Sequence, residues 1–180
     1  MTMGEWIIEP ATVEVLPDIL QIEEACFSVP WTRKMLEAEL SGNPFAHFLV
    51  AKQAPQGEVG SASIVGYLCF WVVFEEVRLM NLAVIESMRH KGIAKALVMR
   101  ALEVGLAQAA IRAVLEVRAS NRAAHALYRG LGFRDMTIRP AYYTNPIEDA
   151  LLMELDPIVL ESGRLAEEVG CEGGYIGPLQ

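Results

Sequence analysis

The chain has 180 residues, 53% of them apolar, with 15 Lys plus Arg against 23 Asp plus Glu for a net charge of −8. That supports one domain with a sizeable core, while the acidic balance argues against nucleic acid, whose phosphates call for a basic face. Cys26, Cys69 and Cys171 form no CxxC pair and the three histidines no HExxH, so a reduced, cytoplasmic setting without a metal site is expected.

The opening MTMGEWIIEP has no basic segment leading into an apolar one and does not read as a signal peptide. Within it, Glu5 to Glu9 reads as a first strand. From Thr12 a helical period sets in, with Leu16, Ile19, Leu20, Ile22 and Cys26 at three- and four-residue spacings. Phe27 to Trp31 interrupts it, and Thr32 is placed to cap a second helix running through Leu40. Phe45–Lys52 and Ile64–Phe74 read as strands joined by a polar, Gly- and Ser-containing turn over Gln53–Ser63. The apolar run in the second of these is far short of the ~20 residues a membrane span needs, so no membrane partner is expected. Val77–Val84 is a further strand. A long helix follows from about Gly92 to Gln108, then a short strand at Ala113–Val117 and a short helix over Asn121–Leu131. Phe133–Arg139 and Ala150–Leu155 complete an antiparallel pair around a loop at Pro140–Asp149. The predicted class is α/β of the α+β type, a mixed and mostly antiparallel sheet flanked by helices. One domain is expected over residues 1–156. Residues 157–180, whose part from Ile158 onward has four Glu and one Arg, read as a partly ordered tail.

Two segments carry chemistry. Val84 to Lys95 leads from a strand into a helix, where unpaired N–H groups and a partial positive charge gather. Arg89, His90 and Lys91 add charge there, and Gly92 permits close backbone approach, which together suit a pyrophosphate. An ordinary basic cluster at a helix start is the plain alternative. Neither GxxxxGK[ST] nor GxGxxG occurs, so the P-loop and the dinucleotide fingerprint are excluded. Downstream, Glu116 stands in an apolar strand between Leu115 and Val117, costly to bury without a partner. It is a candidate base for an ammonium, unless it faces solvent or pairs with Arg118. Asn121 is a good helix N-cap. Tyr128, two turns further on, is either a core aromatic or a proton donor to a departing sulfur.

Arg89-x-x-Gly92-x-Ala94 resembles the Q/R-x-x-G-x-G/A signature of the GNAT acyl-coenzyme A transferases. The string LEVRASNRAAHALYRGLGF, ending at Phe133, is very similar to the corresponding stretch of their RimI-type members, which acetylate the N-terminal alanine of ribosomal protein S18. Phe27 to Thr32 resembles the F-x-x-PW-[ST] element of those enzymes. Arg139 to Tyr143 with Glu148-Asp149-Ala150 resembles their R-x-YY…EDA close, so the likeness spans about Ile7 to Leu155.

The resemblance implies a GNAT fold, acetyl-CoA as donor and a protein N-terminus, that of S18 or another, as acceptor. By position it makes Glu116 the general base and Tyr128 the general acid. Leu82, Ala83 and Val84 would hold the pantetheine arm by their main chain. His90, Lys91, Gly92, Ile93, Ala94 and Lys95 would wrap the pyrophosphate, and Asn121 would touch coenzyme A further along. Trp31, Tyr142 and Tyr143 would line the peptide groove. His90 stands where those enzymes usually carry Arg, and Ala94 where they carry a second Gly. Acetylation of lysines, small amines or other N-termini stays open at this point, as does a non-catalytic acyl-CoA-binding module.

Overall fold

The computed structural model describes residues 6–54 and 62–160. Its elements run β1 (Trp6–Pro10), α1 (Leu16–Cys26), α2 (Arg33–Gly42), β2 (Ala46–Gln53), β3 (Ser63–Val73), β4 (Glu76–Val84), α3 (Ile93–Ala107), β5 (Arg112–Arg118), α4 (Arg122–Gly130), β6 (Arg134–Thr144) and β7 (Ile147–Leu155). The seven strands form one sheet in the order β1-β2-β3-β4-β5-β7-β6. Every neighbouring pair is antiparallel except β4 and β5. A parallel pair needs a crossover connection, and α3 supplies it. The expected mixed, mostly antiparallel sheet with flanking helices is thus the observed one.

Alternation along β2 shows how the sheet divides two cores. Leu49 and Ala51 face one cluster, which α3 closes with Leu97, Val98, Ala101 and Leu102. Phe48 and Val50 face the other, closed by Leu16, Ile19 and Ile22 of α1 and Leu36 of α2. Strand β3 is covered on both faces, which is why its sequence is a continuous apolar run rather than an alternating one. Among the described residues, no helix is long and apolar enough to cross a membrane.

Thr32 caps α2 as expected, its Oγ1 accepting from the Met35 N–H. The buried side of α3 comprises Ile93, Leu97, Val98, Ala101, Leu102 and Gly105, and Arg100 turns outward to pair with Glu103. One local expectation shifts. The loop expected at Pro140–Asp149 is mostly strand. Strands β6 and β7 pair from Arg134↔Glu154 to Thr144↔Ile147, with a register shift between Arg139 and Tyr143 that absorbs Pro140. Because β6 is an edge strand, proline's missing N–H breaks no ladder bond on its free side. Ala141, at φ +51°, is anchored there by donating its N–H to Asp149 Oδ1 at 2.9 Å.

The core reaches past β7. Ile158 is buried, and its N–H donates to the Ile111 carbonyl at 2.7 Å. Glu5, the turn residues 55–61 and the tail from residue 161, with Leu165, Val169 and Cys171, lie outside the described residues.

Candidate active site

The site begins with a defect in the sheet. Across β3 and β4, Cys69 faces Asn81 and Phe70 faces Leu79, so Met80 is an extra residue on β4. Such a bulge bends its strand and re-aims the side chains beyond it. Parallel pairing of β4 with β5 then ends at Leu79↔Leu115. Beyond that point Met80–Val84 and Glu116–Arg118 diverge, leaving a wedge whose one wall is the free edge of β4. Leu82, Ala83 and Val84 lie along this edge. The side chains of Leu82 and Val84 pack into the α3-side cluster and that of Ala83 into the other, so only main-chain groups are available there.

Glu116 stands where the strands part. Ala113, Leu115 and Val117 point to the α3 side, and alternation turns Glu116 to the opposite face, beyond the cover of α1 and α2. Its side chain is 11% exposed and has two cationic neighbours, Arg139 at 2.9 Å and Arg78 at 3.6 Å. Both of these contacts fall on Oε1. The pairing with Arg118 considered from sequence does not form. Arg118 instead pairs with Glu148 at 3.2 Å and lies over the Tyr143 ring, 4.1 Å from its centroid. Glu148 also accepts from the Ser120 N–H at 2.5 Å, and these contacts hold its carboxyl below the usual range. Arg78 and Arg139 escaped sequence reasoning as partners because they reach Glu116 from two other strands.

Tyr128 comes from the other face of the sheet. It is buried against Phe133, with ring centroids 5.6 Å apart. Burial, with a smaller contribution from Tyr143, pushes its phenol well above the ordinary tyrosine range. Among the described residues no group accepts from its hydroxyl, yet no side-chain oxygen or nitrogen there is both sealed and unpaired, so the hydroxyl reaches open space. Glu116 and Tyr128 share no direct contact. Tyr143 lies between them: its hydroxyl donates to the Glu116 carbonyl at 3.5 Å, and its own phenol is pushed up to about 12 by burial.

At the wedge mouth the chain forms a cradle. His90 at φ +61° and Gly92 at φ +79° place two left-handed residues just before α3. Such turns point successive N–H groups at one spot, a nest suited to an anion. A Cβ on Gly92 would meet nothing within 4 Å, so the ground above it is open. The Gly92 carbonyl already receives the Ala96 N–H, and the amides of Ile93 and Ala94 belong to the first turn of α3, whose N–H groups point out of the helix end. Ile93 is buried, and the methyl of Ala94 packs against the core rather than toward the cradle. Arg89 turns back: its Nε donates to the Val84 carbonyl at 3.1 Å, with Nη2 3.9 Å from Cys26 Sγ. Arg89 therefore ties the cradle to the end of β4 rather than extending into it. Lys91 folds onto Met88 Sδ at 3.2 Å, and His90 is exposed. Asn121 caps α4 by accepting the Ala124 N–H on Oδ1 at 3.1 Å, which leaves its amide nitrogen as the group facing outward.

Two loops arch over the open face. Ser28 in the α1–α2 loop donates to the Asn145 carbonyl at the β6–β7 turn, 3.2 Å away. Trp31 thereby sits on one side of the arch. Tyr142 and Tyr143 sit on the other, edge to face with centroids 5.1 Å apart. Beneath the arch lies a group the sequence reading missed. Glu23 is completely buried and accepts from the Trp31 N–H at 2.6 Å, from Asn81 Nδ2 at 2.7 Å and from the Tyr67 hydroxyl. Burial outweighs these donors and raises its carboxyl to about 7. Its spacing from Ile19 and Cys26, four and three residues, put it on the apolar stripe of α1, and that signal could have found it.

Among the described residues no cluster of three His, Cys, Asp or Glu is placed to hold a metal ion. Cys69 is buried, and its thiol is pushed far up by desolvation.

Comparison with known proteins fits this geometry. Residues 16–133 match the model of the acetyltransferase (GNAT) family. A putative ribosomal protein bS18-alanine N-acetyltransferase of Bacillus subtilis strain 168 is 33% identical over 141 residues, 78% of this chain and 89% of that protein. The ribosomal protein bS18-alanine N-acetyltransferase of Escherichia coli K12 is 34% identical over 142 residues, 78% of this chain and 90% of that protein. A crystal structure of the ribosomal-protein-S18-alanine N-acetyltransferase from Escherichia coli superposes with a TM-score of 0.74 at 28% identity, covering 88% of this chain and 98% of that one. A chain with this sheet, wedge and cradle, matched by the family model over most of its folded length, belongs to the GNAT family and is an acetyl-CoA-dependent acetyltransferase.

Proposed function

We propose that the acceptor is the N-terminal α-amine of a protein, and specifically the N-terminal alanine of ribosomal protein bS18. One observation carries the reading: Glu116 is a carboxylate on the uncovered face of the sheet, at the point where β4 and β5 part and beside the arch formed by the α1–α2 loop and the β6–β7 turn. The names of the Bacillus subtilis and Escherichia coli relatives support the choice of acceptor. The net charge of −8 suits a basic acceptor such as a ribosomal protein. The reaction belongs in the cytoplasm, where ribosomal proteins are made.

The chain's residues fit acetyl-CoA. The N–H groups of the nest at His90–Gly92 and of Ile93 and Ala94 donate to the pyrophosphate, with Lys91 and Lys95 beside it. The free edge at Leu82–Val84 takes the pantetheine amides, and Asn121 offers its amide nitrogen beyond. Acetyl-CoA supplies a thioester carbonyl ready for attack. Glu116, through a water, takes one proton from the acceptor ammonium. A backbone N–H of β4 meets the charge developing on the carbonyl oxygen. As the nitrogen–carbon bond forms and the carbon–sulfur bond breaks, the nitrogen's second proton passes to solvent. Tyr128 gives its phenolic proton to the sulfur, and solvent restores it. An α-amine, with a pKa of about 7.7–8.0 against about 10.4 for lysine, asks little of the base.

Thiol release with a basic, Ala-initiated peptide copying the bS18 N-terminus tests the reading, with the same peptide blocked at its α-amine as control. Release with the free peptide and one acetyl on its first residue are expected. Equal release from the blocked peptide would move the acceptor to lysine, and no release with any amine would leave only acyl-CoA binding.

A further inference from the structure

Glu23 is the one charged residue among the described residues whose side chain is shut from solvent, and no Lys, Arg or His is bonded to it. A buried carboxylate without a cation is expensive unless its lone pairs are filled by well-placed donors. Here three donors converge from three separate segments. The Trp31 N–H comes from the α1–α2 loop and occupies Oε2 at 2.6 Å. Asn81 Nδ2 comes from β4, one residue beyond the bulged Met80, and reaches Oε1 at 2.7 Å. The Tyr67 hydroxyl comes from β3 and reaches the same oxygen, and Asn81 Nδ2 also lies 2.9 Å from that hydroxyl. Glu23 itself lies in the last turn of α1, its own carbonyl accepting the Phe27 N–H at 3.0 Å. One side chain therefore joins the last turn of α1, the loop bearing Trp31, and the bulge that opens the wedge.

We propose that Glu23 is a positioning residue for the acceptor: it sets the height and angle of the Trp31 wall of the arch relative to the bulged edge of β4. This rests on the assignment of the arch to the acceptor. The opposite wall is joined to the loop through Ser28 and Asn145 and leans on Glu116 through Tyr143. A shift of the Trp31 loop would consequently change the path of the acceptor amine toward Glu116. The cradle at His90–Lys95 follows the same end of β4, to which Arg89 ties it at Val84, but it makes none of the Glu23 bonds, so a shift of the Trp31 loop falls first on the acceptor side. A residue that merely held the fold together would weaken both substrates alike.

Glu23→Gln keeps the shape but puts an NH2 in place of one of the two acceptor oxygens, against the Trp31 N–H or against the Asn81 and Tyr67 donors, and Tyr67→Phe removes one donor to Glu23 together with the acceptor of an Asn81 contact. Steady-state kinetics with the Ala-initiated peptide and acetyl-CoA give the first readout, and hydrogen exchange at the Trp31 amide gives the second. In Glu23→Gln the peptide KM is expected to rise about tenfold or more, with acetyl-CoA KM and kcat within about twofold. Trp31 exchange should speed up while the amides of α3 keep their protection. Tyr67→Phe should move the peptide KM the same way by about threefold, and it decides alone where Glu23→Gln does not fold. Both KM values rising together, or a peptide KM that stays put, would overturn the proposal, as would unchanged Trp31 exchange. A wild type that acetylates no α-amine overturns the acceptor assignment instead, and Trp31 exchange then decides by itself whether Glu23 holds the loop.

Discussion

Glu116 and Tyr128 show how little of a residue's role lies in its type and how much in which way it faces. Strand alternation puts Glu116 on the uncovered face with two guanidiniums on one oxygen. Tyr128 faces the packed side, where burial keeps its phenol protonated across the neutral range. Glu116→Gln should lower kcat by about 10²-fold or more, the scale of a lost general base, while acetyl-CoA still raises the melting temperature as in the wild type. Wild-type turnover in that variant would remove Glu116 from the mechanism. Tyr128→Phe should slow turnover by about tenfold or more without changing acetyl-CoA affinity. Because its pKa is shifted upward, the wild-type rate should show no loss from Tyr128 ionisation up to about pH 9; an alkaline limb below that, absent in the Phe variant, would contradict the assignment.

At the scale of elements, the cradle and α3 offer separate tests, one of binding and one of packing. Gly92 has φ +79° and nothing above it, so Gly92→Ala adds backbone strain of about 1–2 kcal/mol but no clash. Acetyl-CoA KM, read by thiol release, should rise several-fold with the peptide KM unchanged. Gly105 is the reverse case. A Cβ there would run into Val77 Cγ2, where α3 lies on the start of β4. Gly105→Ala should destabilise the fold by about 1–3 kcal/mol despite its better helix propensity, seen as a lower denaturation midpoint. These elements were also unequally legible. Capping at Thr32 and Asn121, the strands β2 to β5 and the chain order of helices follow from short-range chemistry and appear where the residues put them. The β6–β7 pair is expected, but its outer part over Pro140–Asp149 is not, because Pro140 reads as a strand breaker until β6 is known to be the sheet edge.

For the whole molecule, Glu23 links acceptor geometry to stability. Its carboxyl is raised from 4.5 to about 7, so the folded state holds a proton that the unfolded chain has lost. Its contribution is therefore fully present below about pH 4.5 and is lost as pH rises toward about 7, by ~3 kcal/mol as an order of magnitude. Urea midpoints measured from pH 5 to pH 8 should fall in the wild type relative to Glu23→Gln over that window; parallel curves would contradict the shift. Sequence by itself determined the family, through the resemblance of its motifs, and most elements, and it singled out the cradle segment and the candidate acid–base pair, because each is carried by residues close together in the chain. Only the tertiary structure decided what surrounds them. The bulge at Met80 depends on register with β3, the guanidiniums on Glu116 arrive from β4 and β6, and Glu23 meets its donors across separations of 8 to 58 residues. Such encounters are set by how strands pair and pack, which no local pattern records.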